Sequence, residues 1–152
     1  MQGKATILGH PIHPMVIPFP IAFLSGALIC DIISHWGDPA FWPRMAVTLI
    51  GLGILGALAA SAFGLVDYFT APMSANAKKI ATAHLAVNAA AIAIFIVDFF
   101  LRARNATAPA GYVLTVLGVL ILGMSGFLGG HLAYHFGVGV APSARNRGQK
   151  SP

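Results

Sequence analysis

Residues 44–68 read RMAVTLIGLGILGALAASAFGLVDY, and this stretch decides the fold. Its two charges, Arg44 and Asp67, lie at its ends, with apolar, small or hydroxylic residues between. A bilayer core about 30 Å thick is crossed by about 20 such residues in one helix. Three further stretches of the same kind surround it, at 17–35, 80–101 and 112–134. Between them stand GDPAFWP at 37–43, TAPMSANAKK at 70–79 and RARNATAPAG at 102–111, where proline, glycine, asparagine and charge collect as they do in connectors. Links this short join antiparallel neighbours, so the expected fold is all-α, an integral-membrane four-helix bundle running up-down-up-down. Its expected divisions are an extended Pro/His lead-in at 1–16, a four-span bundle at 17–140 and a basic, disordered tail at 141–152.

Composition agrees. Of 152 residues 57% are hydrophobic and only 9% charged, whereas a soluble domain carries about 25% charged residues. So few charges cannot cover a water-exposed globule, and the surface must face a lipid bilayer. A transmembrane β-barrel is excluded, because its strands would alternate polar and apolar residues over segments of about ten. The first apolar run starts late, contains Pro18 and Pro20 and lacks a small-x-small site, so it reads as a retained span and not as a cleaved signal.

The formal charge is +5, but the basic residues sit singly at the ends of apolar runs, as membrane anchors do. Nucleic acid is therefore not an expected partner. Both termini fall on one side of the bundle, with Lys4, Lys78, Lys79, Arg145, Arg147 and Lys150. The other side carries Arg44, Arg102 and Arg104. This excess favours an orientation with the termini in the cytoplasm. The single cysteine, Cys30, forbids an internal disulfide and reads as a small buried apolar residue.

Helices in lipid associate through close packing of small residues. Gly56, Ala60 and Gly64 form such a stripe in the second span, and Gly118, Gly126 and Gly130 form one in the fourth. Both are expected to face neighbouring helices, in this bundle or in a homo-oligomer.

The histidines carry the chemistry. Threading the chain through four spans puts five of the six, His10, His13, His84, His131 and His135, on the side of the termini. His35 falls on the other side, one turn from Asp31 and able to pair with it. Asn88 lies one turn beyond His84, Asp98 lies on the same face near the opposite side, and Asp67 ends the second span. An ionisable group facing lipid costs several kcal/mol, so that face points inward. The prolines at 11, 14, 18 and 20 predict that the chain is not regular helix before about Phe19. It would then fold over the histidine-rich mouth.

Imidazole is the commonest transition-metal ligand and an axial ligand of haem iron. Four readings follow. In the first, haem b is held by His10 or His13 with His84, or by His84 with His131. In the second, a compact transition-metal site has three or four imidazoles at about 2.0–2.1 Å, drawn from His10, His13, His84 and His131. In the third, the histidines handle protons with Asp67. In the fourth, they are interfacial side chains with no cofactor. His13 and His84 stand first as ligands, followed by His10 and His131, with Asp67 and Asn88 orienting the imidazoles. No hydrolase or phosphate-loop motif is present, so electron transfer or cofactor binding is expected over substrate turnover. An accessory or scaffold protein of a larger membrane complex is the alternative, and a small transporter or proton pathway a further one.

GHPIHPMVIPFPIAFLSGALICD at 9–31, GLVDY at 64–68, AHLAVN at 83–88 and GGHLAYHFGVGV at 129–140 together resemble a bacterial family of predicted four-helix membrane proteins with no assigned activity. The resemblance spans all four apolar runs and covers His10, His13, Asp67, His84 and the GVGV motif. It implies association with a respiratory or redox membrane partner.

Overall fold

The computed structural model describes residues 3–140; the tail expected at 141–152 lies outside them. The described chain opens with two short antiparallel strands, β1 (Thr6–Ile7) and β2 (His10–Pro11), in the register Thr6↔Pro11 and Ile7↔His10. Leu8 and Gly9 turn the chain with φ of 49° and 78°. Two successive left-handed residues are what a two-residue hairpin of matching twist demands. The hairpin is fastened to the bundle: the Lys4 amide donates to Thr70 Oγ1 (2.9 Å) and the Ala5 amide to Asp67 Oδ1 (3.2 Å).

Four helical rods follow: α1 (Ile12–Val16) running into α2 (Pro18–Ile33), then α3 (Phe41–Thr70), α4 (Ala75–Arg104) and α5 (Pro109–Tyr134). Each rod is long and apolar enough to cross a membrane, the first counted from Ile12 to Ile33. Helix therefore begins at Ile12, not near Phe19 as the prolines predicted. Pro14 falls in the first turn of α1, and Pro18 and Pro20 in the first turn of α2. Those positions have no intrahelical partner for an amide, so proline costs nothing there. Ser74 caps α4 by accepting from the Ala77 amide (3.2 Å), and Lys78 Nζ donates to the Tyr68 carbonyl at the C-terminus of α3.

Leu55, Leu120 and Phe127 point outward and are largely exposed, as lipid-facing residues of such a bundle are. Trp36 and Tyr134, exposed at opposite ends, stand where aromatic side chains meet the headgroups. We call the end bearing the N-terminal hairpin the terminal end and the other the loop end. The rods pack as two close hairpins, α2 along α3 and α4 along α5, which meet less extensively through α3–α4 and α2–α5.

The two hairpins share one plan. A Cβ on Gly53 of α3 would collide with Leu24 of α2, and a Cβ on Gly118 of α5 would collide with Phe95 of α4. Eleven residues toward the terminal end, Gly64 lies against the His13 ring and Gly129 against the His84 ring. Toward the loop end, Ala46 and Gly111 are corresponding buried positions, as are Ile50 and Thr115, and Ala27 and Asp98. Asp31 of α2 corresponds to Arg102 of α4, 71 residues later. Of the glycine stripe expected in the fourth span, Gly118 packs inward as read. A Cβ on Gly126 would meet nothing within 4 Å, and one on Gly130 would meet only the Tyr134 ring, at 4.0 Å. The inner row of α5 is instead Gly111, Thr115, Gly118, Ser125 and Gly129.

Candidate functional site

Polar side chains enter this apolar bundle at two places. At the terminal end, His13 Nδ1 lies 2.7 Å from the Ala60 carbonyl oxygen of α3. His84 Nδ1 lies 2.9 Å from the Ser125 carbonyl oxygen of α5 and 3.1 Å from the Ser125 hydroxyl. In each case a glycine one turn on, Gly64 or Gly129, makes room for the ring. A carbonyl accepts only, so Nδ1 carries a proton in both imidazoles, and in the neutral ring that leaves the lone pair on Nε2. His13 Nε2 makes no hydrogen bond among the described residues. His84 Nε2 accepts from the Asn88 amide at 3.0 Å, and that amide also donates to the His84 carbonyl (3.1 Å). Both rings are half-buried.

The other expected ligands lie elsewhere. His10 sits exposed on β2, its Nδ1 3.1 Å from the Leu8 carbonyl. His131 is exposed and stacked on His135, with ring centroids 4.8 Å apart, beside Phe136. Among the described residues no three of His, Cys, Asp or Glu gather closely enough to hold a metal ion. The expected convergence of four imidazoles is therefore not formed. The β-hairpin carries His10 away from the helix axis, and the last turn of α5 presents His131 outward. Asp67 is drawn off as well, because it anchors the Ala5 amide.

The second centre, at the loop end, is more deeply buried. Arg102 donates from Nη2 to Asp31 Oδ1 (2.7 Å) and from Nη1 to Asp31 Oδ2 (2.8 Å), a two-pronged ion pair across the hairpins. Its Nε donates to the Ala106 carbonyl (3.0 Å) and Nη1 also reaches Thr115 Oγ1 (3.3 Å). The Tyr112 ring lies 5.0 Å from the guanidinium carbon. Thr115 Oγ1 stands 2.8 Å from Asp98 Oδ2 and 3.1 Å from the Gly111 carbonyl. Asp31, Asp98, Arg102 and Thr115 are all buried.

This centre corrects two expectations. Arg102 is not an interfacial anchor but a buried partner, and Asp31 pairs with it and not with His35, which packs near Tyr112 and Trp36. A guanidinium outcompetes imidazole here because its planar fork matches both carboxylate oxygens at once. The apolar thickness held the signal: an aspartate inside a span needs a partner, and Arg102 lies one turn from the equally intramembrane Asp98.

A bundle of four apolar rods with ionisable groups held inside both ends is the architecture of a multi-pass α-helical membrane protein. More particularly, the chain belongs to a family described as predicted membrane protein (DUF2231), whose model matches residues 9–142. No curated protein and no solved structure matches it.

Proposed function

We propose that this is a small redox-associated subunit of the bacterial inner membrane, its termini in the cytoplasm, in which His13 and His84 ligate haem b. One observation carries the reading: two half-buried imidazoles from different hairpins lie at the terminal end, each with Nδ1 held by a backbone carbonyl of the neighbouring helix. That bond sets the tautomer and turns Nε2 into a basic, oriented donor, the preparation usual for metal-ligating histidine. Two donors suit haem, whose macrocycle fills the equatorial positions and leaves only axial sites to the protein. They suit a bare transition metal less well, since closed sites use about four protein ligands. Asn88 must release His84 Nε2 for the ligand to enter.

The test is spectroscopic. The protein purified in detergent after haem supply should show a Soret band that His13→Ala or His84→Ala removes. Absence of that band overturns the reading.

A second reading rests on a different feature. Gly123 and Gly126 lie open on α5 beside the exposed Phe127, which favours an accessory role, docked on a respiratory or redox membrane partner or on a second copy. Gly126→Leu should then abolish co-purification with that partner, or dissociate the oligomer, without changing the monomer's stability.

A further inference from the structure

The loop-end centre holds more acid than it can neutralise. The Asp31 carboxylate takes both prongs of the Arg102 fork, and the remaining Arg102 N–H on the chain side goes to the Ala106 carbonyl. Asp98 receives no bond from that guanidinium. Its Oδ2 meets Thr115, and its Oδ1 is, among the described residues, the one buried side-chain polar atom without a partner. A carboxylate ionised at such a place would be a buried charge with one hydroxyl for a partner and a guanidinium already committed to Asp31, and buried charges so poorly matched neutralise instead.

The shared plan of the two hairpins supplies an internal control. Where α4 has Asp98, α2 has Ala27; where α5 has Thr115, α3 has Ile50; all four are fully buried. The first hairpin builds this place from an alanine and an isoleucine, so the packing does not call for the acid and the hydroxyl. They are an addition to the second hairpin.

We propose that Asp98 is a proton-binding site, taking an exchangeable proton from solvent water and holding it at neutral pH on Oδ2. With the proton there, every group of the chain Asp98 Oδ2, Thr115 and Arg102 is paired. Asp98 Oδ2–H donates to Thr115 Oγ1, which also accepts from Arg102 Nη1, and the Thr115 hydroxyl donates to the Gly111 carbonyl. A hydroxyl has one donor and two acceptor sites, so Thr115 is saturated. Oδ1 is left as a neutral carbonyl oxygen, a far smaller cost than a bare charge. Around Asp98 stand Thr115 on α5 and, bonded in turn to Thr115, Arg102 on its own helix, which holds Asp31 of α2; the Tyr112 ring on α5 lies against the same guanidinium. From α3 comes the Pro43 carbonyl, 3.5 Å from Arg102 Nη2. Removing the proton leaves two carboxylates against one guanidinium, and restoring it returns the centre to balance.

Infrared spectroscopy of the whole protein in lipid nanodiscs reads this directly. A protonated-carboxyl stretch is expected at neutral pH. It should shift in heavy water, fade at alkaline pH and vanish in Asp98→Asn, which keeps a donor toward Thr115 and should fold as the parent does. Absence of the band at neutral pH overturns the proposal, and so does a band that survives Asp98→Asn. Loss of the band on adding sodium or potassium at constant pH would make this a cation site and also overturn it. None of these outcomes bears on the histidines at the other end.

Discussion

Asp31 and Arg102 occupy corresponding positions in two similar helical hairpins, and they bind each other with two hydrogen bonds of 2.7 and 2.8 Å. The ion pair between the halves of the molecule is thus made by the same position used twice, once as an acid and once as a base. Neither charge has anywhere else to go inside an apolar bundle.

Breaking that pair leaves a lone buried charge, which costs about 3–5 kcal/mol. Asp31→Ala and Arg102→Ala should each lower the thermal midpoint in detergent sharply. The joint change Asp31→Leu with Arg102→Met should recover most of the loss, since well-packed apolar residues replace a buried pair at little cost. A double variant as unstable as either single one would show that the charges contribute something packing cannot.

The glycines divide into two kinds. A Cβ on Gly118 would stand 2.7 Å from the Phe95 ring, so Gly118→Ala should destabilise by about 1–3 kcal/mol and be relieved by Phe95→Leu. A Cβ on Gly126 would meet nothing within 4 Å, so Gly126→Ala should be neutral or stabilise by up to ~1 kcal/mol through helix propensity alone. Thermal melts of the three variants side by side check both.

Asp67 holds the N-terminal hairpin by one backbone bond and Thr70 by another. Asp67→Ala combined with Thr70→Val should raise hydrogen exchange at Lys4 and Ala5 and open the segment to protease. Protection deep in the four rods should not change. Equal loss of protection throughout would mean that the hairpin is part of the cooperative core.

If haem is bound between the paired imidazoles, His10→Ala and His131→Ala should leave the Soret band intact, because both residues lie away from the pair. Asn88→Ala should bind haem at least as tightly as the parent, since His84 Nε2 no longer has to exchange one partner for another. A band lost in Asn88→Ala would show that the amide supports the ligand and does not compete with it.

The four spans were legible because each apolar run is long and closed by turn residues. That His13 and His84 lie at the same end of the bundle followed from up-down topology. What escaped was whatever depends on neighbours far along the chain. Arg102 stands at the end of an apolar run, where composition alone makes it an interfacial anchor; only Asp31, 71 residues earlier, reveals it as buried. His10 and His131 share an end with His84, but one is carried off on a turn and the other by the helical phase of α5. Proline misled at Ile12 because its effect depends on whether it falls in a first turn or later. The shared plan of the hairpins was hidden because its repeated positions hold different residues: leucine against phenylalanine, aspartate against arginine.

The division into two tight pairs joined by one ionic clasp bears on how the molecule is made. Each pair can enter the bilayer as it leaves the ribosome, but each then carries an unanswered charge into oil until the other arrives. Docking therefore discharges a penalty that neither half can shed alone. A chain halted after its first pair would lack Arg102 and leave Asp31 without its guanidinium.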